Sequence, residues 1–349
     1  MGGSSLKNIN VGIVGYGLSG KTFHASLLKE ITEFTIMSVV SSRIEEIQQD
    51  LGNIEVVKDI SELLHNELID LVVITTPSHL HYEMVKESLL AGKHVVVEKP
   101  MVISASEGVE LAKLAEDKNL ILSVYHNRRW DNDFLTVQKL ISTGEIGEVS
   151  VFESQFNRFR PEVKNRWKEK AQPGGGTLYD LGSHLIDQAL VLFGMPKSIM
   201  ADVQAQREGS EAVDYFHLVL IYDQLRVILH SGSIVPGSGP RYQVHGSKKS
   251  YIKYGLDGQE DKLRSGLSPL ERDFGSDQPH FYGKILTETS SEEVVTEHGS
   301  YLTYYYLLRD SILSGGVVPV SAYEGARVIQ VIEAAIKSSD ENRVVYINE

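Results

Sequence analysis

The stretch GIVGYGLSGKTFH, residues 12–24, decides the fold. Gly15, Gly17 and Gly20 form the pattern G-x-G-x-x-G, which follows a predicted apolar strand and opens a helical pattern. Glycines at this spacing let the backbone approach a pyrophosphate, which the N–H groups at the start of the helix then hold. The alternative is a glycine-rich turn with no ligand. We therefore predict a dinucleotide-binding turn whose contacts are Gly15, Tyr16, Gly17, Leu18, Ser19 and Gly20.

Short apolar runs alternate with helical patterns around this turn. Runs such as LVVITT and HVVVE are apolar without alternation, as expected for parallel strands covered on both faces. Repeated strand–helix–strand units predict a doubly wound α/β sheet of the Rossmann type, which binds ligands at the carboxyl ends of its strands. The predicted strands are Asn10–Val14, Phe34–Val40, Glu55–Val57, Asp70–Thr75, His94–Val97 and Leu120–Val124, and the predicted helices include His79–Ala91 and Ala105–Lys118.

The end of the second predicted strand indicates which dinucleotide binds. A site for NAD usually carries an acidic residue there, to bind the ribose 2′-hydroxyl. Here the turn is Ser41, Ser42 and Arg43, and hydroxyl donors with a guanidinium suit a 2′-phosphate. We predict NADP as the cofactor, with NAD possible. The alternative is that Arg43 merely belongs to the solvated first turn of a helix.

Polar residues also end the fourth and fifth predicted strands. The turn TTPSHLH follows the fourth strand, where a loop can pass the nicotinamide ribose, and its histidines are either cofactor contacts or polar residues at a helix start. The fifth strand ends in EKP, and the proline restricts the preceding lysine to an extended conformation. The expected cofactor contacts here are Thr75, Thr76, Pro77, His79, His81, Glu98 and Lys99, with Lys99 as a cation near the nicotinamide.

A second polar group lies in GGGTLYDLGSH, residues 174–184. Three glycines precede a predicted helix from about Leu178 to Phe193, on which Asp180 and His184 are four residues apart and share a face. A carboxylate that orients a histidine suits proton transfer, so we predict that Lys99, Asp180 and His184 are catalytic. A metal held by Asp180, His184 and Asp187 is a weaker alternative, since a lysine is expected nearby.

The second half of the chain has a different pattern. Apolar and polar residues alternate in VSVFESQFNRF, VDYFHLVLIY and LRVILHSG, in the manner of half-buried antiparallel strands. GSYLTYYYLLRDSIL and SAYEGARVIQVIEAAIKSS predict helices with serine at the start, and Gly255–Gly283 predicts an extended connection. A length of 349 residues favours two domains, which we place at residues 1–124 for the nucleotide and 125–349 for the substrate.

Composition excludes several classes of function. The net charge is −13 with no basic block, which argues against binding to nucleic acid or anionic membranes. The absence of cysteine excludes disulfides, thiol nucleophiles and thiolate metal sites. No apolar run reaches the roughly 18 residues of a membrane span, and MGGSSLKN lacks an apolar signal core. A cytoplasmic location is therefore expected.

Taken together, the G-x-G-x-x-G turn, the EKP triplet and GGGTLYDLGSH resemble the family of glucose–fructose oxidoreductase, inositol dehydrogenase and MocA (Gfo/Idh/MocA) over nearly the whole chain. Within this family, the resemblance is greatest to the branch that acts on scyllo-inositol, through SVYHNRRWDNDFLT, VDYFHL, PRYQVHG and GSYLTYY. The resemblance implies a Rossmann domain followed by an α/β domain built on a large open, mainly antiparallel sheet. It also implies a homodimer or homotetramer formed through that sheet.

The implied reaction interconverts a cyclic polyol, with scyllo-inositol favoured, and its ketone, an inosose, by hydride transfer with NADP. His184 would take the hydroxyl proton, Lys99 would bind the same oxygen, and Asp180 would orient the imidazole. The same chemistry on another sugar or aldose, and a cofactor-binding regulator without catalysis, remain alternatives. Asn127 is a further expected cofactor contact, and the expected contacts to the polyol are Arg128, Asn157, Arg166, Trp167 and Tyr179.

Overall fold

A six-stranded parallel sheet forms the first half of the molecule. The computed structural model describes residues 8–347, except residues 166 and 238. The strands are ordered β3-β2-β1-β4-β5-β6, so the chain reverses direction across the sheet between β1 and β4, and a crevice opens there at the carboxyl ends. The strands are β1 (Ile9–Val14), β2 (Phe34–Val40), β3 (Glu55–Val57), β4 (Leu71–Ile74), β5 (His94–Val97) and β6 (Leu122–Val124).

Helices cover both faces of this sheet, which explains why its central strands are apolar without alternation. All four residues of β4 are buried, as expected for a strand between two helical layers. The helix predicted to start at His79 begins at His81, because Ser78–Leu80 form a 3₁₀ turn. The helices are α1 (Ser26–Leu28), which continues a π-helical turn at Gly20–Ala25, then α2 (Ile44–Leu51), α3 (Ile60–Leu64), α4 (His81–Leu90) and α5 (Ala105–Asp117).

A nine-stranded sheet, ordered β14-β13-β12-β11-β7-β10-β9-β8-β15, forms the second half. Its neighbouring strands are antiparallel except β7 and β10, which are parallel. The strands are β7 (Val149–Gln155), β8 (Ser198–Gln204), β9 (Tyr215–Ile221), β10 (Arg226–Gly232), β11 (Tyr242–Gly246), β12 (Ser250–Lys253), β13 (Gly283–Leu286), β14 (Ser291–Val294) and β15 (Val345–Tyr346). The predicted fold class, a Rossmann sheet followed by an α/β domain with a large, mainly antiparallel sheet, is confirmed.

One face of the large sheet packs on helices and the other is partly exposed. Along β9, Phe216, Leu218 and Leu220 are buried, while the residues between them are half-buried. The longest helix, α10, contacts α5 of the first half as well as α7 and β8 of the second, so it ties the two halves together. The helices are α6 (Asn132–Ser142), α7 (Ser183–Phe193), α8 (Gln259–Arg264), α9 (Leu302–Ser314) and α10 (Ala322–Glu341), and short 3₁₀ turns span Asn127–Trp130, Trp167–Glu169 and Pro279–Phe281.

The second half differs from the predictions in two places. Serine was expected at the start of both C-terminal helices. Ser321 does form a capping box with Glu324 at the start of α10, but α9 begins after Tyr301. The prediction of an extended connection at Gly255–Gly283 is wrong, because it contains α8 and a 3₁₀ turn. Asp257 accepts hydrogen bonds from the N–H groups of Asn132 (2.7 Å) and Gln259 (2.7 Å), and these bonds dock the start of α8.

Candidate active site

The glycine turn lies at the crevice between the carboxyl ends of β1 and β4. Gly15 has a φ of +96°, which favours glycine, and a Cβ at Gly20 would clash with the carbonyl oxygen of Gly15. The hydroxyl of Thr75 lies 2.9 Å from that same oxygen and fixes the turn to the end of β4. A Cβ at Gly17, in contrast, would meet no atom within 4 Å. The backbone at Gly17 is therefore open to a ligand, and the turn fits a pyrophosphate.

The open space at Gly17 leads to a prediction. Gly17→Ala should leave the thermal midpoint of unfolding unchanged, because the new methyl group contacts nothing in the protein. It should weaken NADP binding about tenfold or more, because the methyl group occupies the space of the pyrophosphate. Gly237→Ala is the matched control, since a Cβ there also meets nothing. Thermal denaturation and NADPH fluorescence titration measure the two effects, and NADP affinity equal to that of the wild type would contradict the assignment.

The side chains of the glycine turn have different surroundings. Tyr16 is buried and its hydroxyl donates to Asp50 (3.2 Å), so only its backbone can contact a cofactor. Leu18 is exposed, whereas the hydroxyl of Ser19 donates to the carboxylate of Glu98. Tyr16 therefore stays a predicted cofactor contact through its backbone. The Ser19 side chain connects the turn to the end of β5.

The end of β2 presents a guanidinium to solvent. Arg43 is 55% exposed, and its one ion pair within the described residues is a 3.4 Å contact with the partly exposed Glu46. Exposed pairs of this kind contribute little to stability, so the guanidinium is free to bind an anion. The hydroxyl of Ser41 accepts a hydrogen bond from the N–H of Arg43 (3.1 Å), and Ser42 is exposed beside it. Ser41, Ser42 and Arg43 follow β2 directly, and the sequence predicts that they bind the 2′-phosphate.

The two histidines after β4 differ in their surroundings. His79 is exposed, and its ring lies 6.4 Å from that of Trp167. His81 is buried, and its ring nitrogens lie 2.9 Å from the carbonyl oxygens of Thr76 and Pro100. Both ring nitrogens therefore face carbonyl oxygens of the two loops, and the cofactor contact by His81 stays a prediction. Thr75, Thr76 and Pro77 remain at the crevice.

The carboxylate of Glu98, the first residue of EKP, is held by internal hydrogen bonds. One carboxylate oxygen accepts hydrogen bonds from His24 (3.1 Å) and Ser19, and the other accepts from the backbone N–H of Lys99 (3.0 Å). Burial raises the pKa of Glu98, but His24, Lys99 and Ser19 outweigh burial and lower it to about 2. His24 in turn lies 2.5 Å from the hydroxyl of Tyr305. The ionised Glu98 thus positions the lysine that follows it, and the Lys99–Pro100 peptide bond is cis.

Lys99 meets Asp180 across the two halves of the molecule. Its ammonium donates to the carbonyl oxygen of Asp180 (2.6 Å) and to its carboxylate (3.0 Å). Lys168 donates to the same carboxylate oxygen (2.6 Å), and a guanidinium nitrogen of Arg158 lies 3.6 Å from the other. Burial raises the pKa of Asp180, but Lys99, Lys168 and Arg158 outweigh it and hold the pKa well below its usual range. Burial lowers the pKa of Lys99, which Asp180 opposes.

His184 lies one helical turn beyond Asp180. Asp180 belongs to a π-helical turn, Leu178–Gly182, that runs into α7, and such turns are frequent at functional sites. The imidazole is 6% exposed, and its Nδ1 has no hydrogen-bond partner within the described residues. Burial, followed by Lys99, Arg128 and His126, holds the pKa of His184 well below its usual range, although Asp180 opposes this. The imidazole is therefore neutral at pH 7 and able to accept a proton.

Asp180 does not hydrogen-bond the Nδ1 of His184, contrary to the prediction that it orients the imidazole. Two ammonium groups occupy its carboxylate, and charged donors form stronger hydrogen bonds than a neutral imidazole. Within the described residues, no three side chains of the metal-binding types cluster together. Asp187 instead accepts two hydrogen bonds from Arg129 (2.9 Å and 2.6 Å).

Comparison with known proteins shows the family of this chain. Residues 9–126 match the family model described as the oxidoreductase family, NAD-binding Rossmann fold, and residues 138–347 match the C-terminal alpha/beta domain of the same family. The chain belongs to the Gfo/Idh/MocA oxidoreductase family. It is 51% identical to scyllo-inositol 2-dehydrogenase (NADP(+)) IolW of Bacillus subtilis over 99% of this chain and 98% of that one.

Two further comparisons agree with this membership. A solved structure of the oxidoreductase YvaA from Bacillus subtilis superposes with a TM-score of 0.96 and 50% identity, covering 99% of this chain and 100% of that one. Myo-inositol 2-dehydrogenase of Thermotoga maritima is 26% identical over 98% of this chain and 99% of its own. The resemblance to the Gfo/Idh/MocA family that the motifs indicated is confirmed, and the chain is an oxidoreductase of that family.

Within this Gfo/Idh/MocA site, several predicted contacts to the polyol have other partners. The guanidinium of Arg128 is buried and pairs with Asp131 (3.2 Å) and Glu260 (2.5 Å). The amide of Asn157 donates to Gln155 (2.9 Å) and accepts from the N–H of Gly232 (2.9 Å). Both side chains therefore make internal bonds, and their contacts to the polyol stay predictions.

Other candidates stay available. Trp167 and Tyr179 are half-buried near the crevice, and the hydroxyl of Tyr179 lies 3.5 Å from the carbonyl oxygen of Ile103. Asn127 is buried and its side chain makes no hydrogen bond within the described residues. Arg166 lies outside the described residues. Arg158 and Lys168 were not predicted as site residues, because they follow a strand and a tryptophan without any motif that marks them as functional.

Proposed function

We propose that this oxidoreductase uses NADP to interconvert a cyclic polyol, scyllo-inositol in the first place, and the corresponding inosose. The meeting of Lys99, Asp180 and His184 beside the glycine turn carries the proposal. Lys99 of the nucleotide half contacts Asp180 of the other half, and His184 lies one helical turn beyond Asp180, at the edge of the sheet where ligands bind. The 51% identity to the NADP-dependent scyllo-inositol 2-dehydrogenase IolW supports this choice of substrate and cofactor.

His184 and Lys99 divide the acid–base work in this proposal. The neutral imidazole takes the proton of the substrate hydroxyl, since its lowered pKa leaves it unprotonated at pH 7. The ammonium of Lys99 donates a hydrogen bond to the same oxygen and stabilises its developing negative charge. Asp180 holds that ammonium in place through two hydrogen bonds. Bound NADP supplies the acceptor for the hydride that leaves the substrate carbon.

The remaining site residues are proposed by position. Residues 15–20 would hold the pyrophosphate through their backbone, and the end of β2 would bind the 2′-phosphate. The nicotinamide half of NADP would pass along Thr75, Thr76, Pro77, His79, Glu98 and Asn127. Trp167 and Tyr179 would contact the polyol. The division into a nucleotide domain (1–124) and a substrate domain (125–349) belongs to the same proposal.

Arg43 gives a test of cofactor choice. Arg43→Ala should raise the KM for NADP about tenfold or more, because it removes the charged partner of the 2′-phosphate. The KM for NAD should stay the same, since NAD lacks that phosphate. Lys29→Ala removes another exposed positive charge of the same half and serves as the control. An equal rise in KM for both cofactors, or use of NAD as good as that of NADP by the wild type, would refute the assignment.

Assembly and location complete the proposal. We infer a homodimer or homotetramer that covers the half-exposed face of the nine-stranded sheet, where Val219, Ile228 and Met200 are neighbours on adjacent strands. A cytoplasmic location is supported by the acidic, cysteine-free sequence. Within the described part of the chain, no helix has the length and hydrophobicity that crossing a membrane requires.

A further inference from the structure

Arg158 is a largely buried cation with too few partners. Its side chain is 27% exposed, and its ion pair with Asp180 is long, at 3.6 Å. None of its side-chain N–H groups makes a hydrogen bond within the described residues. The ring of Phe156 lies 5.1 Å from the guanidinium carbon, and the carboxylate of Glu260 interacts with it electrostatically without a hydrogen bond. Arg129, by comparison, makes three hydrogen bonds of 2.6 to 2.9 Å to two carboxylates. The donors of Arg158 are therefore open to a ligand.

The charges around Arg158 do not balance. Three cations, Lys99, Lys168 and Arg158, contact the single carboxylate of Asp180. A further cation nearby, Arg128, is neutralised by two carboxylates, those of Asp131 and Glu260. Even with the ionised Glu98 beside Lys99, the three cations at Asp180 outnumber the two carboxylates of Asp180 and Glu98, in a protein whose net charge is −13. Burying an incompletely paired guanidinium is costly, so a charged partner from outside the protein would be stabilising.

We propose that Arg158 and Lys168 form an anion subsite beside Lys99 and His184, and that it binds the carboxylate of a sugar acid such as a hexuronate. The planar fork of a guanidinium matches a carboxylate, and Lys168, which is 42% exposed, can turn from Asp180 toward it. A ring hydroxyl of the same ligand would then face Lys99 and His184. Oxidation at that hydroxyl rests on the proposed function, while binding of the carboxylate does not.

A matched pair of ligands tests the subsite. Methyl β-D-glucuronide and methyl β-D-glucoside differ only in the exocyclic group, a carboxylate in one and a hydroxymethyl in the other. Calorimetric titration of the NADP-loaded enzyme should show the glucuronide binding about tenfold tighter, the gain expected of a charge-assisted pair. In Arg158→Gln the two affinities should become equal, while Arg158→Lys should keep part of the preference because it keeps the charge.

Two further variants keep the test independent of folding. Lys168→Gln changes a more exposed residue and should also reduce the preference, even if Arg158→Gln does not fold. Lys197→Gln removes an exposed lysine that pairs with Asp223, and it should leave the preference unchanged. Equal binding of the two ligands by the wild type, or a preference that survives both Arg158→Gln and Lys168→Gln, would overturn the subsite.

The outcome is separable from that of the proposed function. A glucuronide preference in a protein that oxidises no polyol would leave the subsite standing and refute the dehydrogenase. Turnover of scyllo-inositol without a glucuronide preference would support the dehydrogenase and overturn the subsite. The excess positive charge would then serve only to stabilise the substrate oxygen that loses its proton.

Discussion

Replacing Lys99 with methionine is expected to lower kcat by about two to four orders of magnitude while NADP still binds. The methionine side chain has a similar length but no N–H group and no charge. The substrate oxygen therefore loses its hydrogen-bond donor. The carboxylate of Asp180 keeps Lys168 as a partner, which limits the structural disturbance. Steady-state kinetics with scyllo-inositol give kcat, and NADPH fluorescence titration gives the affinity for the cofactor.

The control for this variant is Lys113→Met, the same change at an exposed position of α5. It should have the activity of the wild type. Near-normal turnover by Lys99→Met would remove the lysine from the mechanism and leave it as an internal partner of Asp180.

His184→Ala should cause a loss of kcat in the same range, because the base that accepts the hydroxyl proton is gone. Burial and the neighbouring cations keep the pKa of His184 low, so the imidazole stays neutral as the pH falls through 6.5. In the wild type, kcat/KM for polyol oxidation should therefore stay level below pH 6.5 and fall only at more acidic pH. His65→Ala, at an exposed position, is the control. Wild-type turnover in His184→Ala would exclude the imidazole as the base.

The local patterns of the sequence predicted the first half of the fold well. The unbroken apolar runs of β4 and β5 report burial on both faces, and the glycine turn follows β1 as expected. Lys99 could be placed at the ligand-binding edge because strand ends in a parallel sheet lie at one edge. These predictions depend only on residues close together in the chain.

Some side chains of the site have partners that come from distant segments. Arg128 pairs with Glu260, which is 132 residues away, and Asp187 pairs with Arg129, 58 residues away. No local pattern reveals such pairs, so an arginine on a short turn is easily taken for a substrate contact. The same reason applies to Lys168 and Arg158, whose approach to Asp180 depends on the packing of separate elements.

The rate of NADPH formation from NADP and scyllo-inositol, followed at the NADPH absorbance band, tests the central claim most directly. The wild type should form NADPH in proportion to enzyme, and Lys99→Met and His184→Ala should each form it at a rate reduced by about two orders of magnitude or more. A wild-type protein that binds NADP but forms no NADPH with scyllo-inositol or with any of a panel of inositols and sugars would contradict the claim.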